Sequence, residues 1–88
     1  MMEQTVTIQN RLGLHARACS VFVKEAAKFA SHVYVLRDGL EVNGKSILGV
    51  MMLAAEMGAR ITLKADGKDE KEALEALARV VNNKFGEE

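Results

Sequence analysis

The sequence has no proline, no tryptophan and a single cysteine, Cys19. One cysteine cannot form an internal disulfide, which excludes a small secreted domain stapled by such bonds, and we expect a reducing, cytoplasmic location. No apolar run approaches the roughly 20 residues of a membrane-spanning helix, so we expect no cleaved signal at the N-terminus and no membrane partner. The formal net charge of +0 argues against a nucleic-acid partner held by a strongly basic surface.

What remains is an ordinary globular composition, 49% hydrophobic and 27% charged. A chain of 88 residues predicts one domain over 1–88, with a single core and no room for a large buried active site. The neutral total hides an asymmetry, because residues 1–65 carry eight Lys/Arg against five Asp/Glu, and residues 66–88 carry four against seven. A modest basic face can therefore form in the first part of the chain.

The beginning of the chain predicts a strand followed by an amphipathic helix. Alternation in "QTVTIQ" places Val6 and Ile8 on one face of the strand. From Ala16 to about Ala30 the spacing becomes helical, and the apolar residues on one face are Cys19, Phe22, Val23, Ala26 and Ala30. The opposite side carries a basic stripe of Arg17, Lys24 and Lys28, among which Val21 projects.

The rest of the chain predicts three strands and two helices. "SHVYVLR" and "LEVN" flank Asp38-Gly39, a dipeptide typical of a type I′ hairpin turn. Ser46 can cap a short second helix, and "ARITLKA" alternates as a fourth strand. Asp69 and Glu72 have the spacing of a capping box, which predicts the start of a last helix that ends at Gly86. The order βαββαβα predicts an α+β fold with the helices on one face of an antiparallel sheet.

The stretch "RLGLHARACS", residues 11–20, places His15 where that first helix begins. A helix start leaves backbone N–H groups unpaired and carries the positive end of the macrodipole, which favours a bound phosphate or a phosphoryl group on the imidazole. Arg17 can fork onto the same oxygens, and an imidazole is a nucleophile that needs no metal. The alternative is a polar residue at a helix start with no chemistry.

Ser46 is the second candidate, and a plain N-cap is a sufficient reason for a serine there. The residues behind it are unusually apolar for a short helix: Ile47, Leu48, Val50, Met51, Met52 and Leu53. We expect some of them to reach the surface, where methionine and aliphatic side chains form adaptable docking patches. An over-hydrophobic core helix is the alternative.

Other chemistries find little support. Cys19 is predicted as a small core residue and His32 as a surface side chain, and no pair of residues has recognised metal-ligand spacing. We therefore expect no metal and no cofactor. No serine, base and orienting acid can be chosen as a hydrolytic triad.

Two segments carry a family resemblance. "GLHARACS" is similar to the motif G-[IL]-H-A-R-P-A-[ST] of the HPr family, the histidine-containing phosphocarriers of the bacterial phosphotransferase system. The segment that starts at "KSILGVMM" and runs to "KEALEAL" is similar to the family's regulatory serine segment, the following strand and the last helix. The resemblance implies an open-faced sandwich of a four-stranded antiparallel sheet and three helices.

The resemblance also implies roles. His15 takes a phosphoryl group from phosphorylated enzyme I on Nδ1 and passes it to enzyme IIA components, with Arg17 stabilising the phosphate. The chain is then a stoichiometric carrier rather than an enzyme, and we expect a monomer. The docking surface for these partners comprises Val21, Lys24, Ile47, Leu48 and Met51. Ser46 matches the site of HPr kinase/phosphorylase, and a phosphate there would repel acidic partners.

Two positions depart from the family motif: Ala18 stands where the motif has proline, and Cys19 stands where it has alanine. Proline in a first helical turn presets φ, so alanine is expected to loosen the helix start without removing a chemical group.

Three other functions stay open at this point. "QTVTIQNRLGLHAR" and "KFGEE" are also similar to the nitrogen-branch phosphocarrier, whereas the serine segment favours the sugar type. A regulatory binding module would keep the docking face and Ser46 without transfer, although it would not need both His15 and Arg17. A small phosphatase on a ferredoxin-like scaffold lacks a residue to position the attacking water.

Overall fold

Strands and helices follow one another in the predicted order βαββαβα. The structure is a computed structural model that describes residues 1–87. Its elements are β1 (Met2–Thr7), α1 (Ala16–Ala26), β2 (His32–Arg37), β3 (Leu40–Asn43), α2 (Ile47–Met51), β4 (Arg60–Asp66) and α3 (Glu70–Asn82), followed by a 3₁₀ turn at Lys84–Gly86.

The four strands form one sheet in the order β1-β4-β2-β3, and every neighbouring pair is antiparallel. The turn between β2 and β3 is the predicted one, since Asp38 and Gly39 have φ values of 51° and 85°, as a type I′ turn requires. The sheet therefore combines one local hairpin with pairings between distant parts of the chain.

Alternate strand residues point to the core, and the three helices cover that face. Buried strand side chains are Val6, Val33, Val35, Val42, Ile61, Leu63 and Ala65. Helix α3 packs on β1 and β4, α1 packs against α3, and α2 packs against α1 and β3. The other face of the sheet presents polar residues such as Thr5 and Thr62, whose hydroxyls lie 3.2 Å apart. The predicted open-faced α+β architecture is confirmed.

Helix α1 ends at Ala26, four residues before the predicted end near Ala30. The chain tightens there through bonds of the i→i+3 type, in which the N–H groups of Lys28 and Phe29 donate to the carbonyls of Glu25 and Ala26. The N–H of Ala30 donates instead to the Asp69 carboxylate at 2.8 Å. A distant acceptor thus ends the helix earlier than the apolar spacing indicates.

The predicted capping box of α3 is wrong. The Asp69 side chain makes no cap bond to its own helix and accepts from the N–H groups of Ala30 and Ser31 and from the Ser31 hydroxyl. The Ser31 hydroxyl, followed by the Ala30 N–H, lowers the pKa of Asp69 below its ordinary value. At the other end α3 stops at Asn82, ahead of the expected Gly86, and Phe85 joins the core from the 3₁₀ turn.

Candidate functional site

A backbone clamp positions the segment before α1. The N–H of Ile8 donates to the Ala59 carbonyl at 2.8 Å, and the N–H of Leu14 donates to the Ala55 carbonyl at 2.9 Å. Gly13 lies between them with φ +68°, and a Cβ built on it would stand 2.4 Å from the Ala55 oxygen. Only glycine fits this close approach. The residue that follows Leu14 therefore has a fixed backbone position.

His15 occupies the N-cap position of α1, as the sequence predicted. Its backbone is extended, with φ −78° and ψ 176°, and its carbonyl accepts from the Cys19 N–H at 3.0 Å. The His15 side chain makes no cap bond, and the first turn contains no acidic residue. The backbone N–H groups of the first helical turn therefore have no acceptor within the helix and are available to a group bound at the site. The positive end of the helix macrodipole lies beside the imidazole.

The imidazole is held through one ring nitrogen. His15 Nε2 lies 2.5 Å from Glu87 Oε2, and the two side chains are 30% and 21% exposed. Glu87 Oε1 accepts from Asn10 Nδ2 at 3.0 Å. The Asn10 amide, followed by His15 and then by the Arg17 charge, lowers the pKa of the Glu87 carboxyl. Nδ1 is the ring nitrogen that does not take part in this contact.

An open depression surrounds His15 and is rich in positive charge. Arg11, Arg17 and Lys84 line it, and Glu87 is the one acidic residue among its lining side chains within residues 1–87. Three cations that line the same depression as a histidine suit a group that carries two or more negative charges. The depression can therefore accommodate a phosphoryl group beside His15.

Helix α2 divides its apolar residues between core and surface. Val50 and Leu53 are buried, at 1% and 5% exposure, whereas Ile47, Leu48 and Met51 are 42%, 75% and 37% exposed. The expectation that part of this run reaches the surface is confirmed. We call Ile47, Leu48 and Met51, together with the neighbouring Met52, the α2 patch. Because α2 packs against α1, the patch lies on the element next to the helix that His15 opens.

Ser46 is the N-cap of α2, as predicted. Its Oγ accepts from the Gly49 N–H at 3.0 Å, and the residue is half-buried. The hydroxyl therefore has a structural role already, and it directly precedes the α2 patch in the chain.

The remaining candidates of α1 lie along that helix. Arg17 and Lys24 are exposed, seven residues apart and so on the same side of the helix. Val21 is only half-exposed and packs partly against the core, so it projects less freely among the basic residues than expected.

Four site residues were missed by the sequence analysis: Asn10, Arg11, Lys84 and Glu87. Asn10 stands in the "NRLG" break and carried no signal beyond that of a turn residue. Glu87 is 72 positions from His15, and no local pattern indicates such a contact.

Other groups fall outside the site. Cys19 is fully buried, burial raises its pKa to about 11, and its role as a core residue is confirmed. His32 is exposed and stacks on Tyr34 with ring centroids 6.5 Å apart. Within residues 1–87 no three His, Cys, Asp or Glu side chains are arranged to hold a metal ion. No described helix is long and apolar enough to cross a membrane.

Fold and site together define a class: a small open-faced α+β protein with a partly exposed histidine at the N-cap of its first helix, surrounded by cations. Comparison with known proteins gives the family. A family model described as "PTS HPr component phosphorylation site" matches residues 2–83. The phosphocarrier protein HPr of Neisseria meningitidis serogroup A is 51% identical over 87 residues, covering 99% of this chain and 98% of that protein. The HPr-like protein Crh of Bacillus subtilis is 48% identical over 81 residues, covering 92% and 95%.

Solved structures agree with the sequence comparison. The crystal structure of HPr-C-His from Thermoanaerobacter tengcongensis superposes with a TM-score of 0.96 at 46% identity, covering 100% of this chain and 99% of that one. The chain belongs to the HPr family, the phosphocarrier proteins of the phosphotransferase system.

Proposed function

We propose that this protein carries a phosphoryl group on His15 Nδ1, accepting it from phosphorylated enzyme I and passing it to enzyme IIA components. The observation that carries the proposal is the position of His15 at an uncapped helix N-terminus, with Nε2 engaged by Glu87 and Nδ1 not so engaged. Family membership supports the same role, and the proposed setting is the cytoplasm.

The transfer is a substitution at phosphorus. The lone pair of Nδ1 attacks, the Nδ1–P bond forms, and the bond from phosphorus to the donor atom of enzyme I breaks with its electron pair left on that atom. Arg17, the helix N–H groups and the other cations of the depression stabilise the charge on the phosphoryl oxygens. Transfer to an enzyme IIA component is the same step in reverse, with the acceptor as nucleophile.

Docking is proposed to use the α2 patch and the basic side of α1. The patch supplies exposed apolar contacts, while Lys24 and Arg17 favour acidic partners. A small patch of this kind suits the brief, weak complexes that a shuttle needs. The serine segment favours sugar-branch acceptors over those of the nitrogen branch.

Phosphorylation of Ser46 by an HPr kinase/phosphorylase is the proposed regulation. A phosphate at this N-cap is compatible with the α2 dipole, so the fold is expected to persist. Its charge would stand beside the α2 patch and repel an acidic partner.

The protein is proposed to act as a monomer, although one related structure from Thermoanaerobacter tengcongensis, 46% identical with a TM-score of 0.79, is described as an HPr dimer. Light scattering of the purified protein over a range of concentrations tests this proposal, and a stable dimer mass would contradict it.

The test of transfer uses enzyme I and phosphoenolpyruvate. We expect a mass increase of one phosphoryl group that is acid-labile and absent from His15→Ala, while His32→Ala, which removes the exposed histidine of β2, is labelled like the wild type. Circular dichroism establishes that both variants are folded. A folded wild type that stays unlabelled with several enzyme I homologues would refute the carrier role.

A regulatory binding module is the second candidate, favoured by the exposed α2 patch. It predicts binding to partner proteins without labelling of His15. Labelling in the enzyme I assay decides between the two functions.

A further inference from the structure

The side chains of Asn10 and Glu87 connect the loop before α1 to the imidazole of His15. Asn10 is fully buried, and its Nδ2 donates to the Gly13 carbonyl at 2.8 Å and to Glu87 Oε1 at 3.0 Å. Both partners are oxygens that only accept, so the chemistry requires the NH₂ group of the amide on this side. The amide uses both of its N–H groups and is thereby fixed in one orientation.

Glu87 is positioned by the turn that precedes it. Its N–H donates to the Lys84 carbonyl at 2.9 Å, and the buried ring of Phe85, 4% exposed, anchors the turn that precedes it. Lys84, Phe85 and Gly86 all have positive φ, at 57°, 57° and 81°. This conformation is unusual for the two non-glycine residues, and it reverses the chain so that the carboxylate points at His15.

We propose that Asn10 and Glu87 form a relay that orients the His15 ring, keeping the proton on Nε2 and the lone pair on Nδ1. A carboxylate accepts only, so the 2.5 Å contact requires an Nε2–H donor. In a neutral imidazole the other nitrogen is then the nucleophile. Asn10 positions Glu87, and Glu87 positions His15. The inference rests on the proposed carrier function and adds two positioning residues to it.

The relay also bears on the charge that develops during transfer. When Nδ1 bonds to phosphorus and Nε2 keeps its proton, the ring becomes positively charged. Arg11, Arg17 and Lys84 line the same depression and oppose that charge, whereas Glu87 stabilises it. The carboxylate lies on the Nε2 side of the ring, away from the nitrogen that takes the anionic phosphoryl group.

The test has one arm that is independent of transfer. Nitrogen-15 NMR of the His15 ring reports its tautomer in the wild type, Glu87→Gln, Glu87→Ala and Asn10→Ala. Glu75→Gln removes the same charge from an exposed position on α3 and serves as the matched control. We expect the Nε2–H form in the wild type and in Glu75→Gln. Mixed tautomers are expected in Glu87→Ala, and a weaker preference in Glu87→Gln, whose amide can donate as well as accept.

The second arm measures the single-turnover rate of phosphoryl acceptance from enzyme I. We expect Glu87→Ala to lower this rate about 10-fold, the scale typical of partners that orient a functional histidine, and Glu75→Gln to leave it within about twofold. Amide spectra establish that each variant is folded. Because Asn10 is buried, its replacement also perturbs the core, so Glu87→Gln and Glu87→Ala decide the outcome.

The outcomes separate this inference from the proposed function. Unchanged tautomers would overturn the relay, and changed tautomers with an unchanged acceptance rate would overturn its part in transfer; both outcomes leave the carrier role intact. Failure of the wild type to accept a phosphoryl group would refute the carrier role. It would also refute the relay's part in transfer, because that part depends on the carrier role. The tautomer arm would still establish whether Glu87 orients the ring.

Discussion

Replacing Gly13 by alanine should test how the loop before α1 holds the histidine. The added Cβ would lie 2.4 Å from the Ala55 carbonyl oxygen and 3.0 Å from Glu56 Cα. Both are backbone atoms, which cannot rotate away as a flexible side chain can. To make room, the segment around Ala55 has to move, and the 2.9 Å bond from the Leu14 N–H to the Ala55 carbonyl is lost or weakened.

The expected cost has two parts. A left-handed backbone conformation costs a non-glycine residue about 1–2 kcal/mol, and a lost buried hydrogen bond adds about 0.5–1.5 kcal/mol. With the steric displacement we expect Gly13→Ala to lower the free energy of unfolding by about 2–4 kcal/mol. At about 4–8 °C per kcal/mol for a domain of this size, the melting temperature falls by roughly 8–32 °C.

Gly39→Ala is the matched control, because Gly39 also has positive φ, +85°, but no atom lies within 4 Å of its added Cβ. Only the backbone cost of about 1–2 kcal/mol applies there. Urea unfolding followed by circular dichroism measures both variants, and acceptance from enzyme I should slow only in Gly13→Ala, because only that change displaces the backbone next to His15. Equal stability losses in the two variants would refute the clamp.

Three further predictions concern other parts of the molecule. Ser46→Asp should slow phosphoryl acceptance from enzyme I more at low salt than at high salt, because salt screens exposed charges. Ser46→Asn keeps a neutral N-cap and is the control. An equal reduction in rate at low and high salt would exclude charge repulsion as the cause. Cys19, with a pKa raised to about 11 by burial, should resist alkylation at pH 8 until the protein is unfolded in urea; rapid labelling of the native state would contradict its core position. The pKa of Asp69 is lowered in the fold by the Ser31 hydroxyl and the Ala30 N–H, so its contribution to stability is present above the unfolded pKa and is lost as pH falls through the folded pKa. The difference in melting temperature between the wild type and Asp69→Asn should therefore shrink with acidification, and a constant difference would rule out the effect.

Local patterns were sufficient for the features that depend on neighbours in sequence. The start of α1 at His15, the Ser46 cap and the Asp38-Gly39 turn are each decided within a few residues, and each was predicted correctly. The family motif supplied the proposed role of Arg17. Turn chemistry and hydrophobic periodicity are sufficient to predict these features, because their physical cause lies within a few neighbouring residues.

The errors arise where a distant group competes with a local one. Asp69 has the spacing of a capping residue, yet its carboxylate accepts hydrogen bonds from the N–H groups of Ala30 and Ser31 instead. The same contact shortens α1. Glu87 reaches His15 from 72 positions away, through a turn whose left-handed Lys84 and Phe85 no propensity predicts. Contacts between distant residues determine the end of α1, the side-chain partners of Asp69 and the position of Glu87. Local sequence patterns do not indicate which distant residues meet.

The order of the strands has a consequence for how the protein folds. The β2–β3 hairpin closes over a two-residue turn and can form within microseconds. Pairing of β1 with β4 joins Met2 to Ala65 and Thr7 to Arg60, which requires closure of a much longer loop and makes it the slower event. The loop that carries His15 follows β1 and is held by the carbonyls of Ala55 and Ala59 near the start of β4. The histidine therefore reaches its final setting only when the long-range pairing is complete, so that an incompletely folded chain offers its partners no assembled site.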